Sequence, residues 1–217
     1  VSYGACPHGL GMSDVIWPAN IQTTPVKTIA YLFTSNCNIK KIKAPKIIAP
    51  SLKDTRYAFA GLKEVTSIDL DNFDTSSVEN MEGMFSFNDT DFMKDQHIKI
   101  SLNTSNVKNM SKLFHYVYAS YLDVSDFDVS KVTNFSNTFG YTWLYELDLA
   151  GWNTISATDM TSMFEDSNWL QKIYASDSFV TTNVVASDNI FYSLPEAHYR
   201  GGAGSYIQNN IRYAHID

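Results

Sequence analysis

The chain has 217 residues, 44% of them apolar, with 16 Lys and Arg against 23 Asp and Glu for a net charge of −7. That composition supplies a packed core and excludes wholesale disorder. The acidic balance argues against a nucleic-acid partner, which needs a basic face to displace phosphate counterions, and no run of 18 apolar residues is present to span a membrane.

In chain order, residues 1–20, with Pro7, Gly9, Gly11 and Pro18, read as an amino-terminal cap. The chain starts at Val1 and carries no basic start followed by an apolar stretch, as expected of a processed protein or an excised fragment. Cys6 and Cys37 are the two cysteines. A bridge between them and two separate thiols both fit the spacing.

From residue 21 to 194 the organising signal is a repeat. Val78-Glu-Asn-Met-Glu-Gly-Met-Phe85 recurs as Val107 to Phe114, Val132 to Phe139, Ala157 to Phe164 and Val184 to Phe191. Val26 to Phe33 and Leu52 to Phe59 fit the same frame. The phenylalanines at 33, 59, 85, 114, 139, 164 and 191 form one column, at spacings of 26, 26, 29, 25, 25 and 27. Within each unit the first, fourth, seventh and eighth residues are apolar, which predicts one face of a two-turn helix. Hydroxyl residues before it, such as Thr75-Ser76 and Thr104-Ser105, predict capped amides, and Ser76 with Glu79 a capping box.

After most of the phenylalanines comes a short alternation: Ile42-Lys-Ala44, Ile68-Asp-Leu70, Ile98-Lys-Ile100, Leu122-Asp-Val124, Leu147-Asp-Leu149 and Ile173-Tyr-Ala175. Each predicts a short strand with one buried face. A further apolar column, Ile21, Ile47, Phe73, Leu102, Phe127, Trp152 and Phe179, is expected between strand and helix. One unit cannot bury its apolar face alone, whereas stacked units bury a continuous one. The expected fold is therefore an α/β repeat: a single leucine-rich-repeat-like solenoid of six to seven units, with short parallel strands and short helices. Residues 195–217 depart from the pattern and read as a carboxy-terminal cap, giving one domain overall.

The runs Ile68-Asp-Leu-Asp-Asn-Phe-Asp-Thr-Ser-Ser-Val-Glu-Asn-Met-Glu-Gly-Met-Phe85 and Leu122-Asp-Val-Ser-Asp-Phe-Asp-Val-Ser-Lys-Val-Thr-Asn-Phe135 resemble the BspA-type (DUF285-like) leucine-rich repeat of bacterial surface proteins. Gly201-Gly-Ala-Gly-Ser205 with Tyr213-Ala-His-Ile-Asp217 is similar to the ending of such arrays. The resemblance implies a secreted or surface-attached bacterial protein that binds or displays and has no catalytic residues to carry over.

No catalytic, metal or cofactor motif is found. His8, His97, His115, His198 and His215 show no ligand spacing, and the Gly201–Gly204 run lacks the Gly-Lys-Ser/Thr of a phosphate loop. Two candidate surfaces remain. The outward positions of the strands are expected to read Lys43, Asp69, Lys99, Asp123, Asp148 and Tyr174, alternating in charge until Asp123 meets Asp148. The turns from each Phe to the next strand are aromatic: Tyr116, Tyr118 and Tyr121, then Tyr141, Trp143 and Tyr145, then Trp169 and Tyr174. Such residues give large contact area at low entropy cost. The expectation is an extracellular, adhesin-like module, not an enzyme, that grips a protein or glycan. The alternative is a self-associating spacer or coat component.

Overall fold

The computed structural model describes residues 14–16, 26–34, 39–43, 48–62, 65, 67–87, 97–192, 206–208 and 211–215. Cys6 and Cys37 lie outside these residues, as do His8, His198 and the Gly201–Gly204 run. The strands are β1 (Asp14–Ile16), β2 (Lys41–Lys43), β3 (Ser67–Asp69), β4 (His97–Lys99), β5 (Tyr121–Asp123), β6 (Glu146–Leu149), β7 (Lys172–Ala175), β8 (Tyr206–Gln208) and β9 (Ile211–His215). They make three small sheets. β1, β2 and β3 run parallel, as do β4 and β5; β6, β7 and β9 run parallel, with β8 antiparallel on β9. Equivalent residues of successive units face each other: Ile42 with Ile68, Ile98 with Leu122, Leu147 with Ile173. β1 lies within the stretch read as a cap and pairs with β2; β9 does the same with β7 at the other end.

The expected α/β class is overturned. Among the described residues there is no helix, and the three sheets do not join into the one continuous sheet that the leucine-rich-repeat-like solenoid required. The segments read as helices are overlapping β-turns. The N–H of the seventh residue donates to the carbonyl of the fourth, as Met84 to Met81, Leu113 to Met110 and Thr138 to Phe135. The ninth donates to the sixth, as Ser86 to Gly83, His115 to Lys112 and Gly140 to Asn137. The sixth residue of each unit has positive φ: Tyr31 (62°), Tyr57 (52°), Gly83 (57°), Lys112 (56°), Asn137 (55°), Ser162 (55°) and Asn189 (57°). A right-handed helix cannot continue through a left-handed residue.

Hydrogen bonds to neighbouring units replace the bonds a helix would have made within the segment. The N–H of Ile29 donates to the Asp54 carbonyl, then Thr55 to Asn80, Met81 to Asn109, Met110 to Asn134, Phe135 to Asp159 and Met160 to Ala186. Parallel rows run from Tyr31 on Arg56 to Ser162 on Asp188, and from Phe33 on Ala58 to Phe164 on Ile190. In all three rows the N–H points to the following unit and the carbonyl to the preceding one. A fourth row runs the same way, from Gly61 on Ser86 to Asp166 on Tyr192, and another runs the other way, the Lys27 carbonyl accepting from Lys53 and Asp54, and the Lys108 carbonyl from Thr133 and Asn134. Backbone groups that would be costly to bury unpaired are thus satisfied between units.

Side-chain oxygens fix the turns. Asp54, Asn80, Asn109, Asn134 and Asp159 each accept from the backbone N–H two residues on. Asp74, Asn103, Asp128 and Asn153 make a second such column, and Asp69, Asp123 and Asp148 a third at the strand ends. These are Asx turns, the local alternative to helix that Asn and Asp favour. The expected helix caps are absent. The Thr75 hydroxyl instead donates to the Asn103 carbonyl of the next unit at 2.9 Å. Glu79 pairs with Lys53 at 2.9 Å and Lys108 at 2.8 Å.

The core is a column of phenylalanine rings. Phe33, Phe59, Phe85, Phe114, Phe139, Phe164 and Phe191 stack in order at centroid distances of 5.6, 5.7, 5.9, 5.7, 5.7 and 5.5 Å. Beside it lies the second column, with Phe73, Leu102, Phe127, Trp152 and Phe179 all buried. Ile21 and Ile47 fall outside the described residues. Trp152 packs 5.6 Å from Phe135 and 5.7 Å from Phe139, and its indole N–H donates to the Val124 carbonyl.

Candidate functional site

The aromatic turns follow directly from this backbone. Between Tyr141 and Asp148 the chain alternates in and out: Thr142, Leu144 and Leu147 are buried, while Tyr141, Trp143, Tyr145, Glu146 and Asp148 turn towards solvent. Units spaced a few ångströms apart then bring equivalent rings together. Tyr116 and Tyr141 stack at 4.8 Å. Tyr118 lies 4.5 Å from Trp143, and Trp143 stacks on Trp169 at 5.6 Å and 19°. Tyr116 is 38% exposed, Trp143 48%, Tyr145 48% and Trp169 55%. The result is a ridge of two aromatic columns, Tyr116 and Tyr141 across two units and Tyr118, Trp143 and Trp169 across three. Trp143 lies between Tyr118 and Trp169, and Trp169, at the end of the column, is the more exposed of the two tryptophans.

Tyr121 and Tyr174 lie on the strands. Tyr121 starts β5 opposite His97. Its hydroxyl pKa is raised by burial and by the carboxylates of Asp123, Asp148 and Glu146. The Tyr174 hydroxyl donates to Glu146 at 3.2 Å. On the turn side the Tyr141 hydroxyl is pushed up to about 12, first by its hydrogen bond to Asp166 and then by burial and by Glu165. His115 lies against Tyr116 and Tyr141 at 4.4 and 5.4 Å, and burial holds its imidazole down to about 4, with Lys112 adding to the shift.

The strand face carries short ion pairs. Lys43 meets Asp69 at 3.1 Å, and Lys99 meets both Asp123 and Asp126 at 3.4 Å. Asp126 was not among the residues singled out from sequence; it follows the strand and reaches back to Lys99. Asp148 accepts from the Ala150 N–H and has no cation within 4 Å among the described residues. It stands where Asp123 stands one unit earlier, and no strand pairing joins β5 to β6. Exposed pairs of this kind contribute little to stability.

One concavity went unseen in the sequence. A hollow of about 430 Å³ lies between successive Asx turns, lined by Asp71, Asp74, Ser101, Asn103, Asp126 and Asp128. Asp74 and Asp128 are already engaged by Ser76 and Ser130, which hold their carboxyls below the usual range. No cluster of His, Cys, Asp or Glu suited to a metal ion occurs among the described residues, nor does a helix long and apolar enough to cross a membrane.

A family model described as "Mycoplasma protein of unknown function, DUF285" matches residues 53–177, more than half of the chain. No curated protein and no solved structure matches.

Proposed function

The chain belongs to the DUF285 family, and on that footing we propose that it is a non-catalytic binding module of a bacterial surface protein of BspA type, acting outside the cell. The observation that carries this reading is the ridge of Tyr116, Tyr118, Tyr141, Trp143, Tyr145 and Trp169. Burying large rings is favourable by roughly 25 cal/mol per Å², and a stack of exposed ones on a soluble chain leaves that gain for a partner. The units work as a rigid frame: the phenylalanine column sets the backbone, and the turns between units carry the variable chemistry. Protein and glycan ligands outside the cell are the two classes the ridge could take, and no cofactor enters the reading.

The test replaces Tyr141, Trp143 and Tyr145 together with Ser and screens both proteins against matrix proteins and arrayed glycans. The parent protein is expected to retain at least one ligand that the variant loses, with the far-ultraviolet circular dichroism of the two superimposable. A variant that unfolds would mark these rings as core, and a variant that binds all that the parent binds would move the site elsewhere.

A further inference from the structure

We infer that the partner of the aromatic ridge is a cationic polypeptide segment, one whose Lys or Arg side chains lie across the exposed rings. This rests on the ridge being a binding surface and names what it binds. The first observation is charge. Residues 133–192, which hold most of the ridge, contain seven carboxylates and a single basic residue, Lys172. Carboxylates lie beside the rings: Asp166 accepts from the Tyr141 hydroxyl with Glu165 near it, and Glu146, which follows Tyr145 in the chain, accepts from Tyr174. Among the described residues, Asp148, Glu165 and Asp166 have no lysine or arginine within 4 Å, and Glu146 meets Lys172 only at 3.8 Å.

The second observation is the way the rings are held. A sugar ring packs its C–H face on an open aromatic face, and here Trp143 is flanked by Tyr118 at 4.5 Å and Trp169 at 5.6 Å, and Tyr116 by Tyr141 at 4.8 Å. The exposed parts of Trp143, Tyr145 and Trp169 give apolar surface, with Glu165 and Asp166 beside neighbouring Tyr141. The alkyl stems of Lys and Arg fit such a surface, since they lie on apolar groups while their charged heads reach outward. Burial of the stem and a charge-assisted bond at the head then act together. A net charge of −7 steers such a segment towards the protein from a distance.

The experiment titrates the full chain with a nona-arginine peptide, with cellohexaose as a neutral glycan and with polyglutamate, reading tryptophan emission and calorimetric heat. Nona-arginine is expected to bind, to weaken about tenfold in the Trp143→Ser/Trp169→Ser variant, and to weaken comparably in Glu165→Gln/Asp166→Asn. It should also weaken several-fold between about 50 and about 300 mM salt. Nona-arginine that fails to bind, or binds the charge variant as well as the parent, overturns the inference. Cellohexaose binding that the tryptophan variant alone loses would overturn the cationic partner and leave the ridge as the site. Binding of any probe that is indifferent to the tryptophan variant would remove the ridge itself. Sedimentation of the chain alone at the same low salt is expected to show monomer; a dimer dispersed by Glu165→Gln/Asp166→Asn would replace the foreign segment with a second copy.

Discussion

Replacing Phe139 with Ala tests the packing on which every other feature rests. Its ring is fully buried between Phe114 and Phe164, each 5.7 Å away, with Trp152 at the same distance on a third side. Removing a large buried ring costs about 3–5 kcal/mol, the upper part applying where the walls cannot collapse. Here they are held: the Phe139 N–H donates to the Met163 carbonyl, and the Phe114 N–H to that of Thr138. The neighbouring rings therefore stay at their own levels and the cavity persists, which places the expected loss at about 4 kcal/mol. Urea denaturation, followed by near-ultraviolet circular dichroism and by tryptophan emission, measures it. Trp152 should report the change locally through altered emission. Phe139→Leu, which retains much of the volume, should cost only about 1–2 kcal/mol. A loss below about 1 kcal/mol for the alanine variant would refute the column as the source of stability.

The turn geometry makes opposite demands at two equivalent positions. At Gly83, φ is +57° and an added Cβ would sit 2.2 Å from Cε1 of Tyr57; Gly83→Ala is expected to lower stability by about 1–3 kcal/mol, and Tyr57→Ala should relieve part of that in the double variant. Lys112 bears a side chain at φ +56°, so Lys112→Gly should be neutral or stabilising by up to about 1 kcal/mol, the reverse of what a helix interior would give. Asn109→Ala and Asn134→Ala each remove an Asx bond and should cost about 0.5–2 kcal/mol by thermal or urea midpoint, in the range of lost caps. His115 titrates at about 4 in the fold against 6.5 for the ordinary residue. The unfolded chain therefore takes the proton first, so stability is complete above about 6.5 and falls by up to about 3 kcal/mol as pH drops towards about 4. His115→Gln should flatten that limb. Glu79, held at about 2 by Lys108 and then Lys53, acts in a lower window, its small share being lost between about 4.5 and about 2.

The parts of the fold that depend on period were legible. Phenylalanines 25 to 29 residues apart had to be equivalent, and the short alternations around Ile42, Leu122 and Leu147 had to be strands with the apolar residue inward. The helices were misread because two overlapping turns and two helical turns place the first, fourth, seventh and eighth residues on the same side. The distinguishing residue is the sixth, and its chemistry is scattered: Tyr, Tyr, Gly, Lys, Asn, Ser, Asn. Only Gly83, Asn137 and Asn189 favour a left-handed backbone by themselves; Lys112 and Ser162 are held there by their neighbours. A better signal was present in Asn80, Asn109, Asn134 and Asp159, which recur at the third position, where an Asx turn is natural and a helix gains nothing. At the candidate site, the outward placing of Tyr141, Trp143 and Tyr145 could be anticipated from buried Thr142 and Leu144 between them. The hollow around Asp74 and Asp128 could not, because its walls come from Asx turns of adjacent units, which meet only once the units stack.

The one-way rows of hydrogen bonds have an electrostatic outcome. In most sheets the peptide dipoles largely cancel, but here those of four rows add along the direction of stacking, opposed by the row on the Lys27 and Lys108 carbonyls and by single bonds where the strands begin. The amide ends point towards the unit at Val184 and the carbonyl ends towards the unit at Val26, so the array is polarised as a long helix is, positive where its N–H groups emerge. The fixed charges lie in the matching sense. Residues 26–62 carry seven Lys and Arg against one Asp, whereas 133–192 carry seven carboxylates against one Lys. That polarity favours carboxylates towards the Val184 end of the array and lysines and arginines towards the Val26 end.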